Sequence, residues 1–312
     1  MIITVTMNPS LDVLYQLNTF KLGKTNRASK VSKMVGGKGI NTSRVVTLLG
    51  EENIALGLIA GTNGQIIQDT LNEEQVPNRM LSINGESRNS ITIIHDNNVQ
   101  TEINESGPNI SLKDLEMLKS ELFNLLTQHP NAFVSIAGRI YIEQTDIYSK
   151  WLTEIKDVFP NAKVVIDTSG AALEKVLLGD AKPYFIKPNI DELSELVNYT
   201  VTSEPLSISK ALTNPLFDGV YGILVSLGPD GAFALVDNKP YLLRVPDIPI
   251  KNPTGSGDST VAGILYGLQN KLSIEDTLKH AMACGVANAV QEKTGFINVI
   301  DERDLFSKII IE

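Results

Sequence analysis

The chain has 312 residues, of which 42% are hydrophobic and 20% charged, enough apolar material for a sizeable core and a composition that excludes global disorder. Its 27 Lys and Arg against 36 Asp and Glu give a net charge of -9, which works against non-specific attraction to nucleic acid or anionic membrane. A polyanionic small molecule can be held only where basic residues are gathered, and length alone leaves one large α/β domain and two ordinary domains both open.

Ile2–Thr6 reads as the first strand, and the segment from Met1 to Asp12 has neither a basic leader nor an apolar stretch of membrane-spanning length, so a cytoplasmic location is expected. Residues 13–35 lack helical period. They are followed by Gly36-Gly37-Lys38-Gly39-Ile40-Asn41, which opens a helix that should stop at Gly50. This cluster puts a cation and an amide on closely approachable backbone. Ser32 and Gly39 depart from a Walker P-loop, and Thr42 from G-x-G-x-x-G, so neither that loop nor a nicotinamide site is supported; a tight strand–helix turn remains the plainer reading. Residues 54–60 form the next strand, and 90–103 read as two strands around an Asp96-Asn97-Asn98 turn. With 13–35 they could pair into a small sheet standing off the main body. Ser111 and Asp114 resemble a capping box before Leu115, Leu118 and Leu122.

Phe133–Ala137, 164–167, 185–187 and 223–226 are short runs, largely apolar, of the kind buried on both faces of a parallel sheet, and their alternation with helices predicts a doubly wound α/β domain. Lys187-Pro188-Asn189-Ile190-Asp191-Glu192 and Ser226-Leu227-Gly228-Pro229-Asp230-Gly231 each follow such a strand, where open α/β sheets bind ligands. Asn252-Pro253-Thr254-Gly255-Ser256-Gly257-Asp258 then opens a helix carrying Val261, Ile264, Leu265 and Leu268. Backbone N–H groups at such a turn can hold an anion beside the acid. Taken alone, a phosphate site and an Asp that merely caps the helix are about equally supported. Ser273 precedes a further helix, in which Cys284 lies among small residues and reads as packing; His95, His129 and His280 have no metal-ligand spacing.

In order and spacing, the chain from Asn8 to about Gly295 resembles the ribokinase-like, phosphofructokinase-B-type carbohydrate kinases, whose two signatures are matched at 36–41 and 255–258. The resemblance implies a single α/β kinase domain over 1–312, a doubly wound, largely parallel sheet with a small β lid formed by about 12–36 and 86–107. It implies ATP as phosphoryl donor, with Mg²⁺. Gly255, Ser256 and Gly257 would form the anion hole and Asp258 would be the base that takes the proton of the attacking hydroxyl. Lys187, Asn189, Ser226, Gly228, Gly231 and Asn288 would serve the nucleotide, and Asn189 with Glu192 would organise Mg²⁺, partly through water.

On the acceptor side, Asp12 and Asn41 would hold sugar hydroxyls within the Gly37, Lys38 and Gly39 turn, and Lys38, Arg27 and Arg88 would clamp a phosphate already on the sugar. Where phosphosugar kinases of this group usually carry Ser-Gly-Ser-Leu-Pro, this chain has Ala137-Gly138-Arg139-Ile140-Tyr141; Arg139 either adds a phosphate contact or reshapes the pocket for a different sugar phosphate. The 252–263 segment is most similar to the branch acting on tagatose 6-phosphate, with the fructose 1-phosphate branch next. Free-sugar or nucleoside phosphorylation is opposed by Arg27 and Arg88, and a silent sugar-phosphate sensor by the intact Asp258 and its loop. A homodimer through the lid is expected.

Overall fold

The computed structural model describes residues 1–97, 99–138 and 146–312. Asn98, in the expected turn, and Arg139 lie outside them.

The strands are β1 (Ile2–Thr6), β2 (Ser10–Gln16), β3 (Lys30–Gly36), β4 (Asn53–Ala60), β5 (Asn78–Ile83), β6 (Arg88–His95), β7 (Val99–Asn104), β8 (Phe133–Ala137), β9 (Lys163–Asp167), β10 (Phe185–Ile186), β11 (Gly222–Ser226), β12 (Ala232–Val236), β13 (Lys239–Arg244) and β14 (Ile310–Ile311). The helices are α1 (Lys38–Leu48), α2 (Gly61–Glu73), α3 (Leu112–Gln128), α4 (Ile147–Val158), α5 (Ala171–Leu178), α6 (Ile190–Val197), α7 (Pro205–Ala211), α8 (Ser256–Gln269), α9 (Ile274–Ala289) and α10 (Val299–Lys308).

Ten strands form the main sheet in the order β14-β13-β12-β11-β10-β9-β8-β1-β4-β5. Every pairing from β5 to β11 is parallel, and β12, β13 and β14 extend the sheet antiparallel. The expected strands are present within a residue at each end. Both faces are covered, and the pleat divides each strand between two cores. Ile3, Val5, Val164, Ile166, Ile223 and Val225 pack with α3 to α7, while Ile2, Val165 and Leu224 pack with α1, α8, α9 and α10.

The small sheet has the order β3-β2-β6-β7. Its central pair β2–β6 is parallel, although both outer pairings are antiparallel. Leu11, Val13 and Val35 lie against Ile40, Ile67 and Leu71 of α1 and α2, so this sheet rests on the main body. Asp96 and Asn97 take positive φ, 43° and 62°, as the tight turn from β6 to β7 requires.

The parallel strands end nearly level: Thr6 pairs with Ala137, Ala137 with Asp167, and Ile186 with Ile166 and Ile223. The loops beyond those ends, with the N-termini of α1 and α8, meet along one crevice.

Candidate active site

Gly255 caps α8 in the left-handed region, φ 83°, where a side chain would be strained, and a Cβ there would lie 2.7 Å from the Gly295 backbone nitrogen. This turn leaves the first N–H groups of α8 open to an anion, with Asp258 in the same first turn. Asp258 is 8% exposed. Asn41 Nδ2 donates to its Oδ2 at 2.8 Å, and Thr42 Oγ1 donates to its backbone carbonyl at 3.2 Å. Burial first, and then the nearby Asp167, push its carboxyl up to about 6, against the opposing pull of Lys38, Asn41 and Lys187. Asp258 thus combines the position and the basicity of a general base near neutral pH.

Across the crevice, Lys38 Nζ donates to Asp167 Oδ1 at 3.1 Å. Burial disfavours the Lys38 charge, but Asp167, Asp258 and Glu192 outweigh it and hold the ammonium above its ordinary range. Asp167 is 3% exposed; burial favours its neutral form, and Lys38 with Lys187 overcome that and keep the carboxyl below the usual range. Lys187 is buried too, and its Nζ lies 3.0 Å from where a Cβ on Gly257 would stand. Glycine at that position lets the ammonium reach the anion loop.

Asn189 and Glu192 form a reciprocal cap on α6: Glu192 N donates to Asn189 Oδ1 at 2.8 Å and Asn189 N to Glu192 Oε2 at 2.9 Å. The structural role of this pair is therefore explicit, and it leaves Glu192 Oε1 with no hydrogen bond among the described residues. No group of three or more His, Cys, Asp or Glu among them could hold a metal ion.

A largely apolar cavity of about 550 Å³ adjoins the anion loop, lined by Ser226, Gly228, Gly231, Val245, Ser256 and Gly257 among others. Ser226 bridges to Asn189 in parallel, joining the two loops. Asn288 does not line this cavity. It is fully buried, with Nδ2 donating to Thr254 O at 2.9 Å and Ser256 Oγ at 3.2 Å, while Oδ1 accepts from Phe296 N, so it braces the anion loop from behind.

On the small sheet, Ser10 Oγ donates to Asp12 Oδ1 at 2.6 Å, and burial raises the Asp12 carboxyl above its usual value against Ser10, Arg88 and Arg44. Arg88 pairs in register with Ser10, and its Nε donates to Asn8 O at 3.3 Å. Gly37, the N-cap of α1, lies where a Cβ would meet Thr6 at 2.9 Å, and Gly39 also backs onto Thr6. Arg27 is not brought in: it is exposed in the β2–β3 loop and makes no hydrogen bond or ion pair among the described residues. Asn41 is committed to protein partners, its Oδ1 accepting from Arg44 Nη1 at 3.0 Å.

Sequence reasoning passed over Asp167 and Arg44. Asp167 carried one usable signal, a carboxylate at the C-terminal end of a buried parallel strand. Arg44 carried none, since an arginine on a helix reads as solvated.

Residues 5–301 match the model for pfkB family carbohydrate kinases. Two tagatose-6-phosphate kinases from strains of Staphylococcus epidermidis are each 42% identical over 309 residues, covering 99% of this chain and 98% of their own. A solved structure from Staphylococcus aureus, provisionally assigned as a phosphofructokinase, shares 35% identity with a TM-score of 0.83, covering 100% of this chain and 98% of that one. Phosphofructokinase-2 from Escherichia coli, solved with potassium, is 23% identical with a TM-score of 0.90 over 98% of both chains, a likeness of fold.

Proposed function

The chain belongs to the pfkB family of carbohydrate kinases, and from that premise we propose that it transfers the γ-phosphoryl group of ATP to D-tagatose 6-phosphate, giving D-tagatose 1,6-bisphosphate. The observation that carries the site assignment is a buried carboxylate raised to about 6 in the first turn of a helix whose N–H groups face the same crevice.

As the sugar hydroxyl attacks the γ-phosphorus, its proton passes to Asp258, a new oxygen–phosphorus bond forms, and the bond to the ADP oxygen breaks. An alcohol is a poor nucleophile while it keeps its proton, and a positioned base contributes ~10²–10⁴-fold. The charge on the transferring group is met by the backbone N–H groups of the 255–257 loop and by Lys187, so stabilisation is prearranged in a site of low polarity. Lys38 and Arg88 hold the phosphate already on the acceptor, and Asp12 orients a sugar hydroxyl. The 550 Å³ cavity accepts the adenosine.

Mg²⁺ would be held at Asn189 and Glu192. The free Glu192 Oε1 suits a hard cation that keeps most of its water and takes few carboxylates, and when bound it would neutralise charge on the triphosphate. The small sheet acts as a lid over the acceptor, excluding water that would otherwise take the phosphoryl group. Register places Val31, Val99 and Ile103, 50%, 51% and 52% exposed, on the same face as the buried Leu11 and Val13, an apolar extension suited to a homodimer through the lid.

The test is a coupled ADP-release assay with MgATP against tagatose 6-phosphate, fructose 1-phosphate, fructose 6-phosphate and the free ketohexoses. Fastest turnover on tagatose 6-phosphate is expected. Preference for fructose 1-phosphate would replace the acceptor but keep the mechanism, and turnover on free sugars alone would make Arg88, like Arg27, a surface charge.

A further inference from the structure

Arg44 is 4% exposed on α1, three residues after Asn41. Its guanidinium spends each nitrogen on a different partner: Nε donates to Glu74 Oε2 at 2.7 Å, Nη1 to Asn41 Oδ1 at 3.0 Å and Nη2 to Val35 O at 2.9 Å. A buried cation with three directed hydrogen bonds has little freedom to move. Its consequence runs through Asn41, whose side-chain amide has two orientations that differ only by exchanging oxygen and nitrogen. One end faces Arg44, which can only donate; the other faces Asp258 Oδ2, which accepts when ionised. Only one orientation satisfies both.

We propose that Arg44 is a positioning residue for the phosphoryl-transfer step: by fixing the carbonyl of Asn41, it commits the Asn41 NH₂ to the carboxylate of Asp258 and so favours the ionised, aligned base. This rests on the reading of Asp258 as base. Without Arg44, the Asn41 amide can turn its carbonyl towards Asp258, replacing an attraction to the anion with a repulsion. The remaining charged groups around Asp258 are Lys38 on α1, Asp167 at the end of β9 and Lys187 after β10; around Arg44 they are Glu74 and Asp12. None of them can restore the lost orientation.

The experiment is the pH profile of kcat and kcat/KM on the kinase's best acceptor, for the unaltered protein, Arg44→Lys, Glu74→Ala and Asp258→Asn, each with a thermal melt. Lysine keeps the charge but cannot reproduce the fork. The expected result is an acid limb displaced upward by about one pH unit in Arg44→Lys, read as a loss about fivefold greater at pH 6 than at pH 8, with KM for ATP unmoved. Glu74→Ala, which frees Nε alone and lies at a partly exposed position, should displace the limb in the same direction by less. A rate lowered equally at every pH, with the limb in place, overturns the role of Arg44 and leaves Asp258 as base. If Arg44→Lys does not fold, an unmoved limb in Glu74→Ala overturns it instead. Retention of activity by Asp258→Asn overturns both readings together.

Discussion

The environment that lifts Asp258 to about 6 also makes the folded chain hold an unfavourable charge. Because the folded carboxyl binds its proton more tightly than an unfolded one, near 3.8, the folded state carries the extra proton between those values. Its contribution to stability therefore falls as pH rises through that window, and the deficit is complete above about 6, at ~2–3 kcal/mol. Asp258→Asn removes the charge and keeps the shape, so the expected outcome is a higher melting temperature at pH 7.5, a gain that disappears at pH 4, together with a loss of ~10²–10⁴-fold in kcat. In the proposed mechanism, Arg88 works at the opposite end of the acceptor. Losing its charge-assisted contact in Arg88→Ala should raise KM for the sugar phosphate by ~10–100-fold with a smaller change in kcat, measured against the same acceptor panel; an unchanged KM would return Arg88 to the surface.

Two helices begin with the same reciprocal cap, Ser111 with Asp114 on α3 and Asn189 with Glu192 on α6, but only the second borders the crevice. Ser111→Ala should cost ~1 kcal/mol of stability and leave the kinetics alone. Asn189→Ala should cost a similar amount and also raise the Mg²⁺ concentration needed for half-maximal rate; a loss confined to the melt would reduce the pair to a helix cap. The α3 cap, the parallel strands and both glycine turns were legible in the sequence because each is decided locally, by period, by turn chemistry or by a motif a few residues long. The antiparallel edge was not read, although Asp237 and Asn238, with φ 50° and 61°, mark the turn between β12 and β13. β14 has two residues and owes its existence to Leu243 and Arg244 of β13, which no local pattern reveals. Arg44 escaped for the same reason, since its anchor Glu74 lies on another helix end. Asn288 was expected to serve the nucleotide, whereas its hydrogen-bond partners are Thr254 and Phe296, in the segments on either side of the α8–α9 pair, and Ser256, the first residue of α8.

As a whole, the molecule presents an apolar strip on its small sheet at Val31, Val99 and Ile103. Light scattering should give twice 34.0 kDa, and Ile103→Lys, which places a charge on the strip, should shift the mass towards the single chain; a single-chain mass for the unaltered protein would remove the dimer. The order of strands in the main sheet bears on how such a chain comes into being. β1, made before both of its partners, sits in the interior of the sheet between β4 and β8, so it has one neighbour early and must wait for Phe133–Ala137 to gain the other. At the usual pace of translation, roughly 5–20 residues per second, that interval is on the order of ten seconds, during which one edge of Ile2–Thr6 is open to any other strand in reach. Assembly on the ribosome is therefore governed by a partner that emerges late, and this stretch of birth, rather than the finished fold, is where the chain is most exposed to mispairing.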